Sequence, residues 1–375
     1  MKIAYISIDD PKDNISWSGL KLNIYRTLKL LKHEIKIVGP LKDSARLPYV
    51  IKREFLKIIN LKYDSERKIL LSKKYSKKIL SEIRNHKIDL IFTSDSYLVS
   101  FLKTNIPIIL WLDATYHTYH THYYGRNKIH TKSFNEANYL EKLALKNSKV
   151  IILTSNWAKK KALENYNLNK RKIKIIPFGS NLKETKNLNL KKKINDFIQL
   201  TSIGVDWNRK GMNKSIQITK YLNDNGMKTN LNIVGCINKN IKTPSFVNQV
   251  GFLNKNKRND NLKMKKILSN TDFHILMTKK EACGVVFAEA NSFGIFNITN
   301  DVGGVRGMIK NNVNGKLFKV NDSPKKIGDF ILKIIRNKKK FTKLKKKSKD
   351  YYLTKLSWKK NSSILQNIII STQIK

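Results

Sequence analysis

Two carboxylates, Glu281 and Glu289, stand eight residues apart in KKEACGVVFAEANSFG, which runs from Lys279 to Gly294. The preceding DFHILMT reads as a strand, KKEACG as a turn, and VVFAEANSFG as a short helix that stops at Gly294. In a parallel α/β sheet, ligands collect beyond the carboxyl ends of the strands, where such a strand-to-helix turn lies. The backbone N–H groups of Gly284, Val285 and Val286 open the predicted helix, and with its dipole they favour an anion such as phosphate. Eight helical residues span roughly 12 Å, comparable to a nucleotide sugar from ribose to hexose. A carboxylate accepts hydrogen bonds from paired sugar hydroxyls, so one acid could reach a sugar and the other a ribose, with a pyrophosphate between them. The plainer alternative is a turn acid and an acid on a solvated helix face, and spacing alone does not displace it. A metal site or an acid/base pair fits less well, because no neighbouring His or Asp completes either.

These residues need a scaffold, and the chain supplies a repeating one. Strand-length apolar runs (KIAYISI, IKIVG, DLIFTS, IPIILWLD, KVIILTS, IKIIPFG, FIQLTSIG, NLNIVG, DFHILMT, IFNITND) alternate with helical segments such as GLKLNIYRTLKLLKHE, SNWAKKKALENYNL and NKSIQITKYLNDNG. Continuous apolar strands between helices predict parallel sheets of βαβ units, an α/β protein. At 375 residues the chain exceeds the size of one ordinary core, so two domains are expected. The seam falls after IKIIPFGSN, where Pro177 and Gly179 interrupt the pattern ahead of the lysine- and asparagine-rich LKETKNLNLKKKINDF. This predicts domains at 1–180 and 181–350, with 351–375 a helix packing back on the first.

A formal charge of +48, from 75 basic and 27 acidic residues, by itself suggests a nucleic-acid binder. Lys, Asn and Ile are raised throughout the chain, however, so general drift and solubility explain the charge first, an anionic membrane or substrate second. Cys236 and Cys283 lie far apart, which indicates neither a disulfide framework nor a zinc site. A reducing cytoplasm fits. The amino terminus lacks a signal-peptide pattern, and no run reaches the roughly 18 apolar residues of a membrane span.

Four ordered blocks carry a family resemblance. EACGVVFAEA, followed by SFGIFNITNDVGGVRGMI and NNVNGKLF, resembles the Glu-x7-Glu region of glycosyltransferase family 4, the group 1 retaining sugar transferases of the GT-B fold. GVDWNRKG (Gly204 to Gly211) is similar to the segment after the first strand of the second domain. SNWAKKKALENYNLNKRKIKIIPFGSN resembles the last helix and strand before the linker, and LSWKKNSSIL the carboxy-terminal crossing helix. The resemblance implies two Rossmann-like domains facing a central cleft, an amino-terminal acceptor domain and a carboxy-terminal nucleotide-sugar domain.

It also implies roles. Arg209 and Lys210 grip the diphosphate, which suits a forked guanidinium and a point charge set against growing negative charge. Without the flanking motif they would read as two more surface cations. Glu281 contacts the donor sugar and Glu289 the ribose. VGFLNK, with Gly251 and Phe252, occupies the place of the base, although a plain strand and loop fits the same residues. Gly303 and Gly304 form a turn near that pocket.

The first half matches less well. Gly19, in SWSGL, takes the place of the family's Gly-containing loop near the diphosphate and acceptor. IPIILWLD ends in Asp113, where many members carry a His; here His117, His120 and His122 come only afterwards. Asp113 replaces that His as a sugar-hydroxyl or acceptor contact, or one of the three His folds back towards the site, or all are plain loop residues. No metal is expected, since the chain contains no Asp-x-Asp element, and no other cofactor is called for. The segment Pro48 to Leu80 reads either as a basic amphipathic helix on anionic lipid or, preferred, as helices packed on the first sheet with a lysine-rich outer face.

The expected activity is transfer of a sugar, with retention, from a nucleotide-diphosphate sugar to a hydroxyl acceptor, a glycan or lipid-linked glycan in polysaccharide, lipopolysaccharide or glycolipid assembly. The expected location is cytoplasmic, or peripheral at the inner face of the plasma membrane. A sugar-nucleotide epimerase of the same fold, and a non-enzymatic nucleic-acid binder, are the alternatives; nucleic acid is not an expected partner.

Overall fold

In the computed structural model, which describes residues 1–42, 44–182 and 197–373, the apolar runs pair as two six-stranded parallel sheets. The chain divides into two units, Met1–Pro177 with Ser362–Lys375, and Phe178–Asn361. The lysine- and asparagine-rich stretch of the expected seam lies, from 183 to 196, outside the described residues.

Unit one contains β1 (Lys2–Ile6), α1 (Leu20–Leu30), β2 (Glu34–Val38), α2 (Leu47–Ile58), α3 (Ile69–Ile83), β3 (Leu90–Thr93), β4 (Ile108–Leu112), α4 (Tyr116–Tyr124), α5 (Thr131–Asn147), β5 (Val150–Leu153), α6 (Asn156–Asn165) and β6 (Ile173–Ile175). Its strand order is β2-β1-β3-β4-β5-β6. Strands β3, β4 and β5 are buried along their whole length, which is why they read as unbroken apolar runs rather than alternating ones. Tyr5, Phe92 and Trp111, from adjacent strands, meet edge-on at 6.0 and 6.4 Å. Helix α3 packs inward through Leu71, Tyr75, Ile79 and Ile83. Helix α2 does not follow the preferred expectation: none of its residues is fully buried, and Leu47, Ile51, Phe55 and Ile58 are exposed, while only Tyr49, Val50 and Leu56 are half-buried.

Unit two contains β7 (Phe197–Ile203), α7 (Met212–Asp224), β8 (Lys228–Val234), β9 (Val247–Gly251), α8 (Arg258–Asn270), β10 (Phe273–Leu276), α9 (Val285–Ser292), β11 (Phe296–Asn300), β12 (Gly315–Phe318), α10 (Pro324–Ile335) and α11 (Lys338–Tyr351). The order is β12-β11-β10-β7-β8-β9, so between β10 and β7 the order in which successive strands are added reverses while all strands stay parallel. Phe273, Phe287 and Phe296 fill the core. Gly328 lets α10 press on α7, since a Cβ there would stand 2.3 Å from the Tyr221 ring.

The carboxy-terminal segment is not one helix. After α11 a π-helical turn (Tyr352–Leu356) runs into Ser357, whose extended backbone (ψ 147°) ends it. Ser357 then caps α12 (Trp358–Gln373) by accepting from Lys360 N at 3.2 Å. Trp358–Asn361 group with unit two and the rest of the helix with unit one, where Gln366 meets His33 at 3.0 Å. Among the described residues no helix is long and apolar enough to cross a membrane.

Candidate active site

The reversal between β7 and β10 is the switch point of the second sheet, where parallel sheets open a crevice at their carboxyl edge. The loop after β7 and the loop after β10 flank it, and they bring together Arg209, Lys210 and Glu281.

The first loop is folded by its own residues. Asp206 accepts from Arg209 N at 2.9 Å through its side chain and from Lys210 N at 3.0 Å through its carbonyl. Trp207, buried, donates its indole N–H to Asn213 at 2.7 Å. Gly211 then caps α7 with φ +70°, and a Cβ there would stand 2.0 Å from the Met277 carbonyl. Only glycine permits that approach between the two loops.

The second loop closes on the first. Lys279 N donates to Arg209 O at 2.8 Å, and Arg209 Nη1 donates to Lys280 O at 3.3 Å. Lys210 Nζ donates to Glu281 Oε2 at 2.5 Å, and Arg209 Nη1 lies 3.9 Å from the same oxygen. Lys210 and Glu281 are both buried. Glu281 O in turn accepts from Gly304 N at 2.9 Å, which ties in the glycine turn after β11. Gly284, at φ +81°, caps α9, and a Cβ there would meet the Phe287 ring at 2.5 Å and Glu281 Cγ at 3.2 Å. The first-turn amides of Gly284, Val285 and Val286 therefore begin beside the cation pair, an arrangement that can neutralise a diphosphate.

Glu289 is fully buried, and Lys255 donates to its Oε1 at 2.6 Å. Lys255 was not legible as a site residue: it stands 34 positions away in a lysine-rich chain. Gly251 (φ +79°) ends β9, with Ile237 Cδ1 3.1 Å from where a Cβ would be. Phe252 beside it, together with Val205 and Ile237, leaves large apolar surface exposed beyond β7, β8 and β9, chemistry suited to the flat face of a base.

His274 is the second residue the sequence did not flag. It is fully buried on β10, meets Asn297 Oδ1 through Nδ1 at 2.7 Å and lies edge-on to Phe287. Burial, reinforced by the nearby Lys210 charge and opposed by the Asn297 hydrogen bond, pulls its pKa down to about 4, so it is neutral at ordinary pH.

In unit one, Gly19 caps α1 at φ +86° after a tight turn in which Trp17 and Ser18 also have positive φ. A Cβ on Gly19 would stand 2.8 Å from Asn14 Oδ1. The next residue but one, Lys21, is buried between Asp95 at 2.8 Å and Asp9 at 3.1 Å, and so braces the loops after β1 and β3 at that sheet's own switch point. Asp113 sits half-buried directly after β4; its Oδ1 accepts from Ala114 N at 2.8 Å and its carbonyl from Thr154 at 2.9 Å. Of the three His after it, His120 turns inward against the Tyr116 ring at 4.1 Å. Burial, with Arg67 adding to it and Asp64 opposing, lowers its pKa to about 4. His117 is lowered for the same first reason, then by Arg126 and Lys161, and His122 meets the Trp157 ring at 5.0 Å. Among the described residues no group of three His, Cys, Asp or Glu is placed to hold a metal ion.

Comparisons with known proteins agree with this architecture. No curated protein sequence matches the chain significantly. Among solved structures, sucrose-phosphate synthase from Thermosynechococcus elongatus superposes with TM-score 0.73 at 14% identity, over 99% of this chain and 98% of that one. Anabaena HepE in complex with UDP gives 0.68 at 14% identity, over 99% and 100%. WaaG, a glycosyltransferase involved in lipopolysaccharide biosynthesis, gives 0.64 at 13%, over 98% and 99%. At those identities the likeness establishes the fold, two parallel α/β sheets of the GT-B kind. Two family models supply the rest: Glycosyltransferase Family 4 matches residues 22–184 and Glycosyl transferases group 1 matches residues 184–351. Matched in succession from residue 22 to residue 351, the chain belongs to the group 1 glycosyltransferases.

Proposed function

We propose that this glycosyltransferase moves a sugar from a nucleotide-diphosphate sugar to a hydroxyl acceptor with retention of anomeric configuration and without a metal. The observation that carries the reading is the meeting of Arg209, Lys210 and Glu281 at the switch point, beside the first turn of α9. Arg209, Lys210 and the amides of Gly284 to Val286 take the diphosphate, Glu281 the donor sugar, Glu289 the ribose, and Gly251 and Phe252 the base. HepE, of the same fold, has been solved with UDP and with UDP-glucose, which supports a donor of this class.

In the proposed step the bond from the anomeric carbon to the diphosphate oxygen breaks while the acceptor oxygen bonds to that carbon on the same face. The acceptor proton passes to the departing diphosphate, so no covalent nucleophile is needed. Cations and helix amides fixed before the reaction stabilise the charge that grows on the leaving group. Unit one, through the Gly19 loop and Asp113, receives the acceptor, a glycan or lipid-linked glycan of the cell envelope handled on the cytoplasmic side. Residues 181–350 act as the donor domain, residues 1–180 as the acceptor domain, and 351–375 as the helical return. WaaG's role in lipopolysaccharide biosynthesis supports the envelope assignment.

A thermal-shift screen with UDP, GDP, ADP and their sugars tests the donor assignment. Stabilisation by one diphosphate series identifies the base; no stabilisation by any of them would sink the reading. Transfer to an added acceptor, as against interconversion of the donor sugar alone, separates a transferase from an epimerase.

A further inference from the structure

Helix α2 carries a stripe of large apolar residues on the outside. Leu47, Ile51, Phe55, Ile58 and the capping Ile59 are 55, 70, 69, 78 and 64% exposed, and at helical spacing they fall within one arc of about 120°. Polar contacts join α2 to its unit, beside the half-buried Tyr49, Val50 and Leu56: Arg46 pairs with Glu66 at 3.1 Å, Arg53 Nη1 donates to Ser65 Oγ at 3.5 Å, and Tyr49 lies 5.8 Å from Lys68 Nζ. A surface helix ordinarily turns its apolar stripe to the core; this one is reversed. Lys52 borders the stripe on one side; on the other stands the helix's single acid, Glu54, paired with Arg53 at 2.7 Å and Lys57 at 3.6 Å, the two cations that lie beyond it.

A contiguous exposed apolar stripe marks an interaction surface, and charge selects the occupant. The core of a protein interface is depleted of lysine. A bilayer surface accepts an apolar stripe between lysines, whose stems run along the chain region while their ammonium groups reach lipid phosphates. The net charge of +48 draws the protein to anionic headgroups and repels a second copy of itself.

We propose that α2 is a membrane-docking helix that lies in the headgroup region of an anionic bilayer with Ile51, Phe55 and Ile58 inserted. The position suits the acceptor side of the molecule. Just after α2, the Lys62 carbonyl accepts from His130 N at 2.8 Å and its Nζ lies 5.0 Å from the Tyr124 ring, which ties the end of α2 to α4, the helix that follows Asp113. The use of this docking, presenting a lipid-linked acceptor to unit one, rests on the transferase reading above; the docking itself does not.

Co-sedimentation of the full chain with vesicles tests it, using phosphatidylcholine alone and phosphatidylcholine mixed with phosphatidylglycerol, at low and high salt. The parent should bind the mixed vesicles and retain part of that binding at high salt, and Ile51→Glu/Phe55→Glu/Ile58→Glu should bind roughly tenfold more weakly or less. Equal vesicle binding by parent and triple variant would overturn the proposal, because bulk charge would then suffice. A parent dimer that the triple variant dissociates, with no vesicle binding by either, would also overturn it. The three side chains are already solvent-exposed, so circular dichroism and the UDP-induced thermal shift should be unchanged. Absence of a UDP shift in the parent counts against the transferase reading and leaves the vesicle result standing.

Discussion

Lys210 and Glu281, 71 residues apart in sequence, are joined Nζ to Oε2 at 2.5 Å with both side chains buried. Removing one partner of such a pair leaves a buried charge uncompensated, at a cost of about 3–5 kcal/mol. Glu281→Ala should therefore lower the melting temperature as well as abolish transfer. Lys210→Met/Glu281→Gln, which removes both charges, should be more stable than Glu281→Ala. A diphosphate supplies the missing anion to Lys210, so UDP should stabilise Glu281→Ala by more degrees than it stabilises the parent; an equal or smaller shift would show that Lys210 does not reach the phosphates.

The Lys255–Glu289 pair predicts a different split. Lys255 holds the buried carboxylate at 2.6 Å, so its loss should disturb donor binding more than the chemical step. Lys255→Met should raise the donor KM by roughly tenfold or more with kcat changed far less, and Glu289→Gln should follow the same pattern. A fall in kcat at unchanged KM would place Lys255 outside donor binding.

Two glycines with similar positive φ should respond very differently to alanine. At Gly211 a methyl group would collide with the Met277 carbonyl at 2.0 Å, whereas at Gly226, φ +78°, nothing stands within 4 Å. Gly226→Ala should cost only the left-handed conformational penalty, about 1–2 kcal/mol. Gly211→Ala should cost more than that and displace the Arg209–Lys210 loop. Chemical denaturation of both variants, with UDP binding alongside, checks the contrast.

Acid should destabilise the fold above the usual carboxylate range. His274 and His120 keep pKa values of about 4 in the folded chain, against 6.5 when unfolded. Between those limits the unfolded chain takes up protons that the folded chain does not, so stability falls as pH drops from about 6.5 to about 4. Each group accounts for about 3 kcal/mol of this at most, at 1.36 kcal/mol per unit. Glu141 acts in the opposite sense, since burial raises its pKa. His274→Gln should flatten the pH profile in that window relative to the parent; an identical slope would exclude a folded-state shift at His274.

The strands were legible where they are buried on both faces, since β3, β4 and β5 have no polar alternation to confuse them. β9 and β12 fall outside those apolar runs because VNQVG and GKLF are short and mixed in character. The orientation of α2 was open for a physical reason: an apolar stripe at helical spacing looks the same whether it faces a core or a lipid surface, and only its contacts with Glu66 and Ser65 settle which side faces inward. In the site, it is the family resemblance, not spacing, that points to Arg209, Lys210, Glu281 and Glu289, and the fold brings the first three of them together at the switch point. Lys255 and His274 act through tertiary contacts, and a lysine among many lysines carries no local signal.

The stem of Lys210 lies across Gly204, where a Cβ would stand 2.6 Å from Lys210 Cγ and 3.0 Å from Cδ. A larger residue at 204 and a long side chain at 210 are thus mutually exclusive in this backbone. The two positions should covary, and a mutagenesis library that diversifies either one alone will sample mainly inactive chains, while paired randomisation can move the positive charge to a new height above the sheet.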